Sequence, residues 1–400
     1  MFDPLSVIAD GQPSRSIGEV LGSHGWIVVV SFLVSAAVTP IVRAMAMRYR
    51  IVDKPDNFLK PHARPIAYLG GVAIYLGWLA GMLLALPAQL AGRDWLFGLM
   101  AGGGIIMLVG LIDDLLKIKP GTKLLGQAIA ATALLVFGIG THFCDPFLAS
   151  MVYISPDWLQ PYLHWPSWLV AVCSIPLAIF IVLAASNATN LLDGMDGLCS
   201  GVTGVIAISF LALAVHLATY NYSPQHDQVR IIVTLAMFGS VCGFLPYNTK
   251  PATIFLGDAG SLLLGLYAAA MILMFGEREI LRWVLGAVMI FGLPILDTSL
   301  ALLRRLRLHR PIFGGDRSHL YDQLVDRGFS VRQTVMICYG LAAFYGGVGL
   351  ATMYLHTWQA SILYAMIILL MLTLCWKLGF LKTPVATPGE QKPAEAPAQK

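Results

Sequence analysis

The sequence predicts an all-α polytopic membrane protein with about eleven transmembrane helices. Three observations carry that reading. Of 400 residues, 57% are hydrophobic and only 12% charged, roughly half the charge of a soluble domain. Mean hydropathy is +0.74. Uncharged runs cover residues 66–92 and 168–192, each longer than the roughly 20 residues a helix needs to cross a bilayer. So little charge cannot coat a water-soluble globule, and it excludes a disordered chain or a nucleic-acid binder for the bulk of the sequence. The period-2 alternation of a barrel strand is absent. Helices, which satisfy their own backbone N–H and C=O groups, are therefore the spanning element.

The N-terminus carries Asp3 and Asp10 instead of a basic patch and has no early apolar core, which argues against a cleavable signal peptide. Residues 1–24 read as an outer N-terminal segment and 25–380 as the transmembrane domain. Residues 381–400, rich in Pro and Ala, read as a disordered cytoplasmic tail. The first span (25–42) ends at Arg43. The second (66–90) is the first uncharged run. The third (95–112) closes on Asp113-Asp114, and the fourth (124–141) opens after Lys123. Between it and the fifth, residues 142–167 hold no Lys or Arg but carry Trp158, Tyr162 and Trp165, as an interfacial belt does. The fifth (168–186) runs into NATNLLDGMDG. The sixth (198–219) and seventh (231–247) follow, the seventh ending in YNTKPATIFLGDAGS. The eighth is 259–275. The ninth (283–303) contains Asp297, the one acid inside a predicted span, about two turns before Arg304. A loop with seven Arg and no Lys occupies 304–332, and spans at 333–355 and 359–376 complete the set. With these boundaries 21 of the 26 Lys and Arg fall on one side. That side is then cytoplasmic, the N-terminus outside and the C-terminus inside. Five of the six cysteines lie in or beside apolar runs, so they form no disulfide framework.

The conspicuous polar residues gather at the cytoplasmic face, so the predicted active site lies there: Asp113 and Asp114, then Asn187, Asn190, Asp193 and Asp196, then Asn248 and Asp258, then Arg317 and His319. Carboxylates this dense repel one another unless a cation sits among them, and an all-oxygen ligand set favours Mg²⁺ or Mn²⁺ over zinc. Asp113-Asp114 taken alone reads either as a helix end with two solvated acids or as a general base or metal-water ligand. Asn187, Asn190, Asp193 and Asp196 step by three, so neighbours in that series share a helix face. Asp258 immediately precedes a helix whose free N–H groups suit phosphate. Phe255 reads as core or as a base-stacking surface, and Asp297 as a structural partner of Arg304 or a cap, with a functional role as the other reading. An ion-coupled transporter is the alternative reading. It calls for ionisable groups near mid-bilayer, and only Asp297 qualifies.

Five segments, VDKPDNFLKPHARPIAYLGG, GLIDDLLKIKPGTKLLGQ, NATNLLDGMDGL, NTKPATIFLGDAGSLLLG and DRSHL, together resemble the polyprenyl-phosphate N-acetylhexosamine-1-phosphate transferase family over roughly residues 25–330. The resemblance implies transfer of HexNAc-1-phosphate, GlcNAc-1-phosphate first among them, from a UDP-HexNAc to polyprenyl phosphate. UMP is released, Mg²⁺ (or Mn²⁺) is required, and the enzyme sits in a bacterial plasma membrane. It implies that Asn190 and Asp258 hold the metal, that Asp113 and Asp114 receive or deprotonate the lipid phosphate beside Lys123, and that Asp193 belongs to the catalytic set. Met195, Asp196, Asn248 and Phe255 then line a uridine pocket, with Asn187 nearby, and Arg317 and His319 hold the diphosphate and sugar. Membrane lipid is a partner and nucleic acid is not. The oligomeric state stays open between a monomer and a homodimer. Many bacterial members read HLHH where this chain has Tyr321 and Asp322 after His319-Leu320. That departure bears on the sugar more than on the chemistry. The lack of a triple-His pattern argues against a muramoyl-pentapeptide substrate.

Overall fold

A computed structural model describes residues 13–22, 24–53, 65–86, 91–156, 158–160, 165–223, 225–276, 280–309 and 319–381. Arg317, most of the N-terminal segment and nearly all of the tail lie outside them. The described chain is helical apart from one small hairpin. The elements are α1 (Ile17–Gly22), α2 (Trp26–Arg48), β1 (Val52–Asp53), β2 (Ile66–Ala67), α3 (Gly70–Leu84), α4 (Arg93–Leu116), α5 (Pro120–Val136) and α6 (Asp145–Ile154). They continue with α7 (Ser167–Leu192), α8 (Leu198–Thr219), α9 (Asp227–Asn248), α10 (Gly257–Phe275), α11 (Leu281–Ile290), α12 (Gly292–Arg307), α13 (Leu320–Asp326), α14 (Val331–Ala351) and α15 (Thr357–Lys377).

By length and composition, 8 described stretches are able to cross a membrane, and α11 with α12, bent by 71°, makes a ninth. Each of the eleven predicted spans contains a helix, but two of those helices are short. Among its described residues the run at 66–90 is helical over the 15 residues of α3: 66–67 pair with β1, and Leu69 turns through a left-handed φ of 85°. Hydropathy does not register that turn. The run at 124–141 becomes the 17 residues of α5, started by Pro120 in its first turn, where a missing N–H costs nothing. It stops before two positive-φ glycines, Gly138 and Gly140. The bend in the ninth span falls just before Pro294, which cannot donate to the preceding turn, so the helix breaks at Phe291 and restarts. The segment 142–167, expected as an outer loop, contains α6, a helix its sequence did not announce.

The architecture centres on α10. Of its apolar stretch 94% is buried, against 11% for α15 at the periphery. Helices α3, α4, α7 and α8 surround α10, and α2 packs on α3 and α9. Without a hydrophobic drive between helices in lipid, close approach at small residues holds such a bundle. The tightest approach lies at the start of α10. A Cβ on Gly110 of α4 would stand 2.5 Å from Ala259 Cα, and one on Gly71 of α3 would overlap the Gly260 backbone. Three helices therefore meet at backbone contact directly beneath Asp258. At the opposite end, buried Arg230 pairs with Asp227 at 2.9 Å and donates to the Met274 carbonyl, tying α9 to the end of α10.

Candidate active site

Four helix ends converge at the Asp258 end of the bundle. The first turn of α5 supplies Lys123. Its Nζ lies 2.9 Å from Asp113 Oδ2 at the end of α4 and 2.6 Å from Asp258 Oδ2 at the start of α10. It also donates to Asn190 Oδ1 of α7 at 3.4 Å. Asn190 Nδ2 in turn donates to Asp258 Oδ1 at 2.7 Å and to Ser261 Oγ at 2.9 Å. One ammonium thus holds two carboxylates that lie 10 and 135 residues from it along the chain. Side-chain exposure is 13% for Asp113, 14% for Lys123 and 30% for Asp258, so Asp258 is the most open of the three.

The two adjacent acids behave differently. Asp113 Oδ1 accepts the N–H of Ile118 and closes the short link to α5, leaving Oδ2 on Lys123. Asp114 places Oδ1 2.8 Å from the Asp258 N–H and Oδ2 3.1 Å from the Ala259 N–H. The start of α10, expected to be open to phosphate, is therefore capped by a carboxylate of α4. The helix dipole and free N–H groups attract an anion there, and the chain supplies its own.

Asp193 follows the last turn of α7. Burial pushes its carboxyl well above the usual carboxylate range, and the negative charges of Asp258, Asp114 and Asp196 push it further. The electrostatics therefore place Asp114, Asp193 and Asp258 in one field. Asp196 Oδ2 accepts the Ala252 N–H. Asn248 is buried, donates to the Ile254 carbonyl and accepts from Ser200 Oγ at 2.7 Å. These two brace the segment 249–256, which also bridges from Ile254 to Ala67. Phe255 is half-buried, with its ring 5.9 Å from that of Tyr68. Met195 is partly buried against the core. Asn187 lies one turn before Asn190 on the same α5-facing side of α7: its amide donates to Gln127 Oε1 of α5 at 2.8 Å and to its own helix at Leu183.

His319 and Asp297 form a separate buried pair, Nδ1 to Oδ2 at 2.8 Å. The expected partner Arg304 instead donates to the Phe380 carbonyl. Asp297 is therefore bonded to the loop at the Asp258 end and does not stand as a mid-bilayer ion site, which removes the observation a transporter reading needed. The sequence reading missed Gln127 and Ser261, and it met Tyr321 only as a departure from the family pattern. Each is a single polar or aromatic residue without a spacing signal, and each gains meaning only from a partner elsewhere in the chain.

Residues 96–276, which contain the whole Lys123 network, match the family model described as glycosyl transferase family 4. A probable undecaprenyl-phosphate N-acetylglucosaminyl 1-phosphate transferase of Bacillus subtilis is 31% identical over 317 residues, 78% of this chain and 80% of the relative. The chain belongs to glycosyl transferase family 4. Other relatives in the family include a decaprenyl-phosphate N-acetylglucosaminephosphotransferase of Mycolicibacterium smegmatis, 32% identical over 76% of either chain. A phospho-N-acetylmuramoyl-pentapeptide-transferase of Desulforudis audaxviator is 31% identical over 80% of this chain and 96% of its own. As a family 4 member with its apolar helices, the protein is a multi-pass membrane transferase.

Proposed function

We propose that the protein transfers GlcNAc-1-phosphate from UDP-GlcNAc to polyprenyl phosphate at the cytoplasmic face of a bacterial plasma membrane, with the N-terminus outside and the C-terminus inside. UMP is the second product. The observation that carries the reading is the Lys123 ammonium held at once by Asp113 and Asp258, in a chain whose relatives are named for polyprenyl phosphate and N-acetylglucosamine phosphate.

Phosphoryl transfer needs positioning and charge neutralisation more than covalent help. An oxygen of the lipid phosphate bonds to the β-phosphorus of the donor. The bridging P–O bond from the β-phosphorus breaks, and its electrons leave with UMP. Asp113 takes the proton of the incoming lipid phosphate through Oδ2, the oxygen it shares with the mobile Lys123 side chain, whereas both Asp114 oxygens are held by backbone N–H groups of α10. Lys123, between α4, α7 and α10, neutralises phosphate charge. Asp196, Asn248 and Phe255 brace or line the uridine side, and Arg317 with His319 serves the sugar and diphosphate. Among the described residues no three His, Cys, Asp or Glu side chains form a metal cage. Mg²⁺ needs none, because it typically takes one or two carboxylates and completes its shell with water and substrate phosphates. The all-oxygen set of Asp258 and Asn190 fits such an ion. Bound there, Mg²⁺ (or Mn²⁺) supplies neutralisation of the diphosphate.

The test is isotope exchange. Membranes containing the protein, given polyprenyl phosphate and Mg²⁺, should exchange labelled UMP into UDP-GlcNAc. Absence of exchange with every UDP-HexNAc in a panel overturns the proposal, and exchange with a different HexNAc alone corrects the sugar.

A further inference from the structure

His319 is gripped on two sides. Asp297 of α12 takes Nδ1 with Oδ2 at 2.8 Å, and with Oδ1 accepts the Leu320 N–H at 2.6 Å. The same carboxylate thus holds both the ring and the first turn of α13. Tyr321 stacks on the imidazole, with centroids 5.5 Å apart and planes 8° apart. Its hydroxyl donates to the Leu191 carbonyl at 3.0 Å, next to Asn190 in the last turn of α7. The Tyr321 ring also lies over Gly194, where any Cβ would overlap it. His319 is 3% exposed and Asp297 1%. A carboxylate this deep is costly to bury unless its bonds serve a purpose.

We propose that Asp297 is a positioning residue for the transfer, fixing His319 through Nδ1 so that the ring meets the donor diphosphate only through its opposite edge, Nε2, with Tyr321 registering that edge against the end of α7. The proposal rests on the function inferred above. A carboxylate on one ring nitrogen fixes ring rotation and leaves Nε2 as the edge turned away from Asp297; an imidazolium held this way donates from Nε2 to a phosphate oxygen. As the bridging bond breaks, negative charge grows on the departing α-phosphate, and a fixed N–H donor gains most at that moment. No bond forms to the histidine.

The experiment is a double-mutant cycle on purified full-length protein in detergent, with UDP-GlcNAc and polyprenyl phosphate. Asp297→Asn removes the charge and keeps one acceptor oxygen for the two donors, Nδ1–H and the Leu320 N–H. We expect kcat to fall about 10–100-fold, with the donor KM within about threefold, and Asp297→Glu to restore part of the rate. The double variant Asp297→Asn with His319→Gln should be no slower than His319→Gln alone, because a positioning residue has nothing left to act on. Multiplying losses, or wild-type kcat in Asp297→Asn, overturns the proposal. If Asp297→Asn does not fold, Tyr321→Phe, which keeps the stack and deletes the hydroxyl, takes its place in the cycle: a loss that vanishes in the His319→Gln background supports the proposal, and multiplying losses or an unchanged kcat overturn it. Wild-type protein that turns over no UDP-HexNAc refutes the underlying function instead, which separates the two failures.

Discussion

At the level of single residues, the adjacent aspartates divide their labour. Asp258→Ala should abolish UMP exchange while membrane insertion, read by fractionation, is unchanged. Lys123→Ala leaves Asp113 and Asp258 facing each other without their shared cation, and kcat should drop at least about 10²-fold. Asp113→Asn should lower activity far more than stability. Asp114→Asn should do both, because an amide offers one acceptor to the two N–H groups of Asp258 and Ala259, and an unmet buried donor costs about 1–3 kcal/mol. Thermal unfolding in detergent separates the two variants. Asp322 gives a pH signature. Burial lifts its carboxyl to about 6 although the nearby His319 pulls it down. The unfolded chain therefore releases this proton earlier than the folded one, and the residue's contribution to stability falls as pH rises from about 4 to about 6 and is flat above. Asp322→Asn should flatten that part of the curve, measured as the difference in melting temperature from wild type across the window.

Elements show how far such pairs reach. Helix α13, which follows His319, is tied to the segment after α15: Arg304 and Gln323 both donate to the Phe380 carbonyl at 3.1 Å, and the Arg327 guanidinium stands 3.6 Å from the Phe380 ring centre. Phe380→Ala removes a buried ring but not the carbonyl, a loss of about 3–5 kcal/mol, of which the Arg327 contact is about 0.5–2 kcal/mol. Hydrogen exchange across 319–326 should accelerate in that variant while α10 stays protected, and unchanged exchange in α13 would show that the latch carries no weight. The membership of these elements was legible from sequence because hydropathy and three-residue spacing are local properties. Their partners were not. Asn187 finds Gln127 60 positions away, Asp114 finds the α10 backbone 144 positions away, and His319 finds Asp297 22 positions back, in the helix before its own loop. Nothing in residue order encodes which helix ends become neighbours, so Asp297 was matched to the nearest basic residue in its own helix, Arg304, and the start of α10 was taken as vacant.

Across the whole molecule, the acidic cluster, the basic asymmetry and the apolar runs together conveyed a polar site at one end of a helix bundle, because charge near lipid is expensive and its placement is informative. What they could not convey was which helix stands in the middle. α10 is no more hydrophobic than its neighbours. Its central place follows from small residues, Gly260 and Ala259 among them, that admit two other backbones. The site thus has two parts of unlike character: a loop side made of side chains that can be exchanged, and beneath it a buried junction made of main chain. The second bears on drug resistance. A compound that fills the site meets exchangeable side chains, but enlarging Gly71 or Gly110 to reshape the floor beneath Asp258 would pry the helices apart. Escape variants selected against such a compound should therefore map to the loop side, and their scarcity elsewhere would be a property of the scaffold and not of the molecule used to select them.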